Sequence, residues 1–312
     1  MSRTRPFSRW RRPGRALAAA TGAALLLCAT STAAHAQDPT SGSDFTIDGH
    51  EDIPARTADG RLVFHPHSGT FDPADPGATY TGTITIDEDW AEADWLASVN
   101  TGWPGGDILV ENDGFIALHQ HSRVWNPDDP LSTLAPDPTR VGGAGWDSFE
   151  EKFTGSFVGR NGPSIVGRDS ADGHLYAFPS TLNRDGSLTI GEKQLLGRDF
   201  RGYDQFASAD LNGDEVTDFV ARSGSVLYGF LMMPTPAGAE ASTNIVRISD
   251  GWEQADTTLT KDVDSDGKKD LVSRIAATGE LVAFLNVGEN GAVAFSGRHS
   301  LGYEWAQENP IF

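Results

Sequence analysis

The chain has 312 residues, with 24 Lys and Arg against 44 Asp and Glu, for a formal net charge of −20. So acidic a chain excludes nucleic acid and anionic lipid as natural partners, since both are held through Lys and Arg. Its 38% hydrophobic content supplies a globular core, while 35 Gly and 17 Pro exclude an architecture of long helices.

Residues 1–36 read as a signal peptide. Arg3, Arg5, Arg9, Arg11, Arg12 and Arg15 stand without an acid, an apolar run follows from Ala16 to Ala29, and small residues end at Ala34-His35-Ala36. Cleavage is expected between Ala36 and Gln37, giving a secreted, extracellular protein. The apolar run is shorter than the roughly 20 residues a bilayer span needs, so no membrane insertion is expected. Leu27 before Cys28 argues against a lipoprotein, and Pro13-Gly14 after Arg11-Arg12 against twin-arginine export. Cleavage takes away six Arg and the single cysteine, moving the charge from −20 to −26. A secreted chain without disulfides must be held by its core, by bound ions, or by both. Residues 37–43 then read as a linker and 44–312 as one repeat domain.

One phrase recurs through that domain: Asp52-Ile53-Pro54-Ala55-Arg56, Asp107-Ile108-Leu109-Val110-Glu111, Ser164-Ile165-Val166-Gly167-Arg168, Asp218-Phe219-Val220-Ala221-Arg222 and Asp270-Leu271-Val272-Ser273-Arg274. Each copy leads into a Gly turn and a second apolar run, such as Leu62-Val63-Phe64 or Leu281-Val282-Ala283-Phe284, which is a hairpin signal. An aromatic marks the start of each unit (Trp90, Trp146, Tyr203, Trp252, Tyr303) and is expected to plug the gap between neighbouring sheets. Units of about 50 residues with four short strands have the size of propeller blades. The best-formed unit places strands near 203–210, 218–222, 226–232 and 244–249. The fold expected is all-β, a β-propeller of about five four-stranded blades. Its ring closes through the termini: Gly302-Tyr303-Glu304-Trp305-Ala306 begins a unit that never continues, and the first unit, near Asp44, lacks that opening piece. A larger ring completed by another chain is the alternative; a monomer is expected.

Nine-residue loops precede the phrase in two units. They read Asp210-Leu211-Asn212-Gly213-Asp214-Glu215-Val216-Thr217-Asp218 and Asp262-Val263-Asp264-Ser265-Asp266-Gly267-Lys268-Lys269-Asp270. Both place side-chain oxygens at positions 1, 3, 5 and 9, and a backbone carbonyl at position 7 (Val216, Lys268) adds a fifth. That hard-oxygen set suits Ca²⁺. An EF-hand fails on spacing, because its twelfth position would be Ala221 or Ser273 and a β run begins where the exiting helix should. A worn copy, Asp44 through Asp48 to Asp52, carries Thr46 at position 3, so two structural Ca²⁺ sites and a candidate third are expected. Units two and three (Val99 to Asp107, Ser156 to Ser164) have lost the ligands.

These residues resemble the FG-GAP/VCBS repeat family, seen in integrin α-subunit propellers and secreted bacterial proteins. The resemblance spans about 44–312 and is most specific at the two complete loops with their Asp-Phe-Val-Ala-Arg and Asp-Leu-Val-Ser-Arg continuations. It implies a β-propeller with calcium in hairpin loops between the first two strands of a blade, and roles in adhesion or in glycan or protein binding. Five units where seven are common, and two units without ligands, depart from the family pattern.

His65-Pro66-His67 and His119-Gln120-His121 occupy the same place in units one and two, where four imidazoles could hold Zn²⁺ or Cu²⁺ or could pack as the Phe178 and Phe230 of units three and four do. Neither a Gly-x-Ser-x-Gly elbow nor His-Glu-x-x-His occurs. The function expected is a secreted, non-catalytic binding or adhesion module for a glycan or an extracellular protein; a glycosidase on a five-bladed propeller is the alternative. The insertion from Ser122 to Gly142, with four prolines, is a place where specificity could reside.

Overall fold

The computed structural model describes residues 42–158, 162–183, 187–235 and 238–312, without the side chains of 234–243. The expected leader, its cleavage point and residues 37–41 lie outside the described residues. Ser43, at the end of the expected linker, is buried.

Five antiparallel sheets form a five-bladed β-propeller, as the repeats require. From the innermost strand outward, blade one is Glu308–Ile311, Ile53–Thr57, Leu62–His65 and Ile84–Asp87. Blade two is Trp95–Val99, Asp107–Asn112, Phe115–His119 and Thr139–Arg140. Blade three is Phe149–Gly155, Ser164–Asp169 and Leu175–Leu182, with an outer edge split into Leu188–Ile190 and Gln194–Gly197. Blade four is Asp204–Ala209, Asp218–Ser223, Val226–Thr235 and Gly238–Asp250; blade five is Ala255–Lys261, Asp270–Ile275, Glu280–Asn286 and Phe295–Ser300. The strands expected in unit four all form, but its outer hairpin runs past 232. Among the described residues no helix is long and apolar enough to cross a membrane.

The ring closes as expected. The C-terminal strand is the innermost strand of the N-terminal blade, pairing Ala55 with Ile311 and Thr57 with Glu308. Between the second and third strands of blade two, Asp113 (φ 50°) and Gly114 (φ 76°) both take left-handed conformations, the geometry of a tight hairpin whose twist matches its strands.

The recurring phrase has a physical meaning at each end. Its arginine staples one blade to the next. Arg222 donates through Nη1 to the carbonyls of Trp252 (3.0 Å) and Ala255 (2.5 Å), in the turn that opens blade five, while its Nε and Nη2 grip Asp204. Arg274 reaches the carbonyls of Trp305 and Glu308, Arg168 those of Phe200 and Tyr203, and Arg56 those of Trp90 and Ala93. Blade two carries Glu111 there and reverses the polarity: Lys152 of blade three meets it at 2.8 Å. Arg274→Ala would strand two buried carbonyls and free Asp256, so urea denaturation should show a loss of about 2–4 kcal/mol.

The same geometry corrects two of the expected plugs. Trp90, Trp146 and Trp252 are buried as expected, but Tyr303 is 62% exposed and Tyr203 only partly buried. The residues filling the equivalent places, with carbonyls facing the staple arginines, are Trp305 (1% exposed) and Phe200 (5% exposed).

Candidate metal centre

In blades four and five the nine-residue loop connects the inner strand to the second strand; in blade one, whose inner strand comes from the C-terminus, the loop leads into the second strand from its N-terminal side. The loops of blades four, five and one share one backbone conformation. Positions 4 and 6 are left-handed in all three: Gly213 and Glu215, Ser265 and Gly267, Ile47 and Gly49, with φ between 57° and 92°. Ile47, a β-branched residue at φ 57°, would rarely adopt this alone, so the rest of the loop imposes it.

The position-1 carboxylate folds each loop around itself. Asp262 accepts the N–H of Asp266 (3.1 Å) and Gly267 (3.0 Å), and Asp44 accepts those of Asp48 (3.1 Å) and Gly49 (3.0 Å). Asp210 accepts those of Gly213 (2.7 Å), Asp214 (3.2 Å) and Glu215 (2.8 Å). Position 5 holds the N–H of position 7: Asp214 that of Val216 (2.9 Å), Asp266 that of Lys268 (2.8 Å), Asp48 that of His50 (2.9 Å).

Position 9 is a buried clamp. Asp218 accepts from the N–H of Leu211 (3.1 Å) and Met232 (2.7 Å), Asp270 from Val263 (2.9 Å) and Asn286 (2.8 Å), and Asp52 from Phe45 (2.7 Å) and His67 (3.0 Å). Each carboxylate thus ties its loop to a residue in the later part of the third strand or just beyond it.

The charge around this clamp differs by blade. In blade two, whose loop has no ligand pattern, Arg123 pairs with Asp107 at 2.9 Å and Thr101 donates to it. In blade three the position is Ser164, a neutral group that exchanges hydrogen bonds with the main chain of Val158. Among the described residues, no cationic side chain is ion-paired with Asp52, Asp218 or Asp270. Burial pushes Asp52 up to about 8 and Asp218 and Asp270 up to about 7, with neighbouring acids of the same loops adding to the shift. Burial likewise raises Asp44, Asp262 and Asp264.

In blade five, Asp262, Asp264 and Asp270 bring carboxylate oxygens within 4.8 Å of one another. Asp266 is not in that cluster; its carboxylate faces the Lys268 N–H and lies 3.7 Å from the Lys268 ammonium. In blade four, Asn212 donates to Asp214 (3.0 Å), and Asp210 and Asp218 hold the two ends of the loop. If the cluster is the cation seat, Asp264→Ala should weaken Ca²⁺ affinity by at least about tenfold and Asp266→Ala by clearly less. Calorimetric titration of the two variants compares them.

The sequence reading did not find the group that joins loops one and five. Glu51 accepts the Asp262 N–H (2.9 Å) and pairs with Lys269, while Lys261 donates to Ser43 (2.7 Å). Burial opposes ionisation of Glu51, but the two ammonium groups outweigh it and lower its pKa; burial lowers Lys261 to about 8. Only the loops' adjacency in the closed ring brings these residues together, so no sequence spacing announces them. His50 adds a hydrogen bond across the same seam to Ser265 (2.9 Å).

The paired histidines are struts. His67 Nδ1 accepts the Gly69 N–H (2.9 Å), leaving Nε2–H to donate to the Val263 carbonyl (2.9 Å) in blade five's loop. His121 repeats this with Arg123 N–H (2.9 Å) and the Phe45 carbonyl (3.0 Å) of blade one's loop. Both ring nitrogens are engaged, so neither ring offers a lone pair to Zn²⁺ or Cu²⁺. His65 meets Glu308 at 2.8 Å over the Trp305 ring, and His119 packs against Trp90.

The inner strands surround a central cavity of about 470 Å³, bounded at the loop end by Ser43, Glu51, Lys261 and Lys269. At the other end its carboxylates are engaged: Asp94 accepts the Asp113 N–H (3.1 Å), Asp256 holds Arg274 (2.7 Å), and Glu151 accepts the Gln205 N–H. No protein-family model and no curated protein matches the chain, so its likeness to FG-GAP/VCBS repeats rests on the loop residues quoted above.

Proposed function

We propose that the protein is a calcium-stabilised propeller exported to act as a non-catalytic binding module for a glycan or an extracellular protein. The observation that carries the calcium reading is the contrast among the five position-9 groups. In blade two Arg123, which follows the third strand, pairs with the buried aspartate; blade three replaces the aspartate by serine; and among the described residues no cationic side chain is ion-paired with the aspartates of the three blades whose loops carry ligands. A divalent cation completes the charge there. Asp262, Asp264 and Asp270 hold it in blade five, with the Lys268 carbonyl and Asp266 at the rim. Asp210, Asn212, Asp214 and Asp218 hold it in blade four with the Val216 carbonyl. In blade one Asp44, Asp48 and Asp52 form a third, weaker site, since the backbone conformation is kept although Thr46 replaces a ligand. Oxygen donors alone favour Ca²⁺ over transition metals, and the irregular set favours it over the strict octahedron of Mg²⁺.

A binding role is supported by the carboxylates at the other end of the central cavity, where Asp94, Asp256 and Glu151 each hold a structural partner in the main chain or in Arg274. A glycan and polysaccharide array, run with calcium and with EGTA, tests the role. Retention of a defined sugar without turnover supports a lectin-like module, and released sugar in a parallel turnover assay would replace the reading by a glycosidase.

A further inference from the structure

The junction of blades four and five contains a cavity of about 220 Å³; blades one, three and four place a larger side chain at the equivalent position, while blade two, like blade five, has an alanine there, Ala93. Its floor is Trp252 and Phe284, with ring centroids 5.6 Å apart, and Val293 and Phe295 wall it. At its mouth stand Arg247 and Asp250, an exposed ion pair.

The register shows why the space exists. Ala255, opposite Ile275, occupies the place that Phe149, opposite Asp169, takes in blade three. In blade four the equivalent residue is Tyr203, one step before the Asp204–Arg222 pair, and in blade one it is Glu308, opposite Thr57. Phe149 lies edge-on to Phe178 at 5.1 Å and beside Trp146 at 5.9 Å. Tyr203 lies likewise against Phe230 at 5.4 Å and Phe200 at 5.3 Å. Glu308 fills its place by gripping His65, whose ring covers Trp305 at 4.1 Å. Blade five keeps the two receiving rings, Trp252 and Phe284, and has a methyl group where the third would sit. The Trp252 indole N–H already donates to Ser249 Oγ, so the floor presents ring surface rather than a free donor.

We infer that this pocket binds a small aromatic compound, a phenol- or indole-sized ring seated where Phe149 and Tyr203 sit in the neighbouring blades. The size agrees: an apolar cavity of about 150 Å³ accepts benzene. So does the chemistry, because aromatic walls favour edge-on and offset ring contacts and a polar mouth orients one substituent. The inference is independent of the calcium reading.

The test is calorimetric titration and saturation-transfer NMR of the calcium-loaded mature protein with indole and phenol. Saturable one-site binding is expected. Ala255→Phe rebuilds the blade-three arrangement, and should raise Tm while weakening binding by about tenfold or more. Ala255→Leu, a smaller filling, should weaken binding less and keeps the test decisive if the phenylalanine variant fails to fold. Absence of saturable binding by either probe, or unchanged affinity in a folded filling variant, would overturn the inference. So would methyl glycosides displacing the aromatic probes from the pocket with higher affinity, which would assign it to sugars.

Discussion

EGTA is expected to lower the Tm of the calcium-loaded mature protein by about 10–20 °C. A ligand present at about 100 times its Kd stabilises by about 2.7 kcal/mol, so two occupied loops contribute about 5 kcal/mol, and a domain of this size shifts by about 2–4 °C per kcal/mol. The pH dependence gives the same prediction a second signature. With metal removed, Asp218 and Asp270 titrate near 7 and Asp52 near 8 in the folded chain, against an ordinary 3.8. A carboxyl whose folded pKa is raised is protonated in the folded state while the unfolded chain has already released the proton, so stability falls as pH climbs from about 4 to about 8. Thermal scans in EGTA should therefore show a lower Tm at pH 8 than at pH 5. Saturating calcium should reverse that slope, because the cation competes with protons for the same oxygens. A chelated protein whose Tm rises steadily with pH would mean that these carboxylates are not held neutral.

Ending the chain at Gln307 is expected to abolish the single cooperative unfolding transition and to drive self-association. The five residues removed carry the inner strand of blade one, Glu308–Ile311. With them go the Glu308 partner of His65, the Glu308 carbonyl under Arg274, the Asn309 carbonyl under Arg56, and the buried Ile311 side chain. Ile53–Thr57 would become an unpaired edge running into a buried face, a template for pairing with another copy. A synthetic peptide spanning 302–312 should restore the monomer by strand addition, as in other donor-strand exchanges. Size-exclusion chromatography with thermal scans reads both effects, and a truncated chain that stays monomeric with an unchanged Tm would remove strand closure as the ring's fastening.

The blades were legible because the phrase repeats, and each repeat carries its own hairpin signal. Strands in unit four formed where expected since Asp218-Phe219-Val220-Ala221-Arg222 fixes both ends of a strand: the aspartate clamps the loop before it, the arginine the blade after it. The plugs were half legible. A glycine before an aromatic picks out Tyr203 and Tyr303, but the buried rings are Phe200, three residues before Tyr203, and Trp305, two after Tyr303, a fact of the turn that is visible only when two blades meet. Loop one was only partly legible for a related reason. Thr46 breaks its ligand pattern, whereas the backbone conformation it shares with loops four and five is dictated by Asp44 and Asp52 through main-chain hydrogen bonds. The reversed staple, Glu111 with Lys152, and the ion pair of Arg123 with Asp107 join residues at no fixed spacing in the sequence. They follow from how the strands of blade two fold together and how blade three packs beside it.

The most direct test of the central claim is calorimetric titration of the metal-free mature protein with CaCl₂, with MgCl₂ as the comparison. The account predicts at least two Ca²⁺ sites per chain, much weaker Mg²⁺ binding, and the loss of one calcium site in each of Asp210→Ala and Asp264→Ala. Absence of calcium binding, or binding unchanged in both variants, would contradict it.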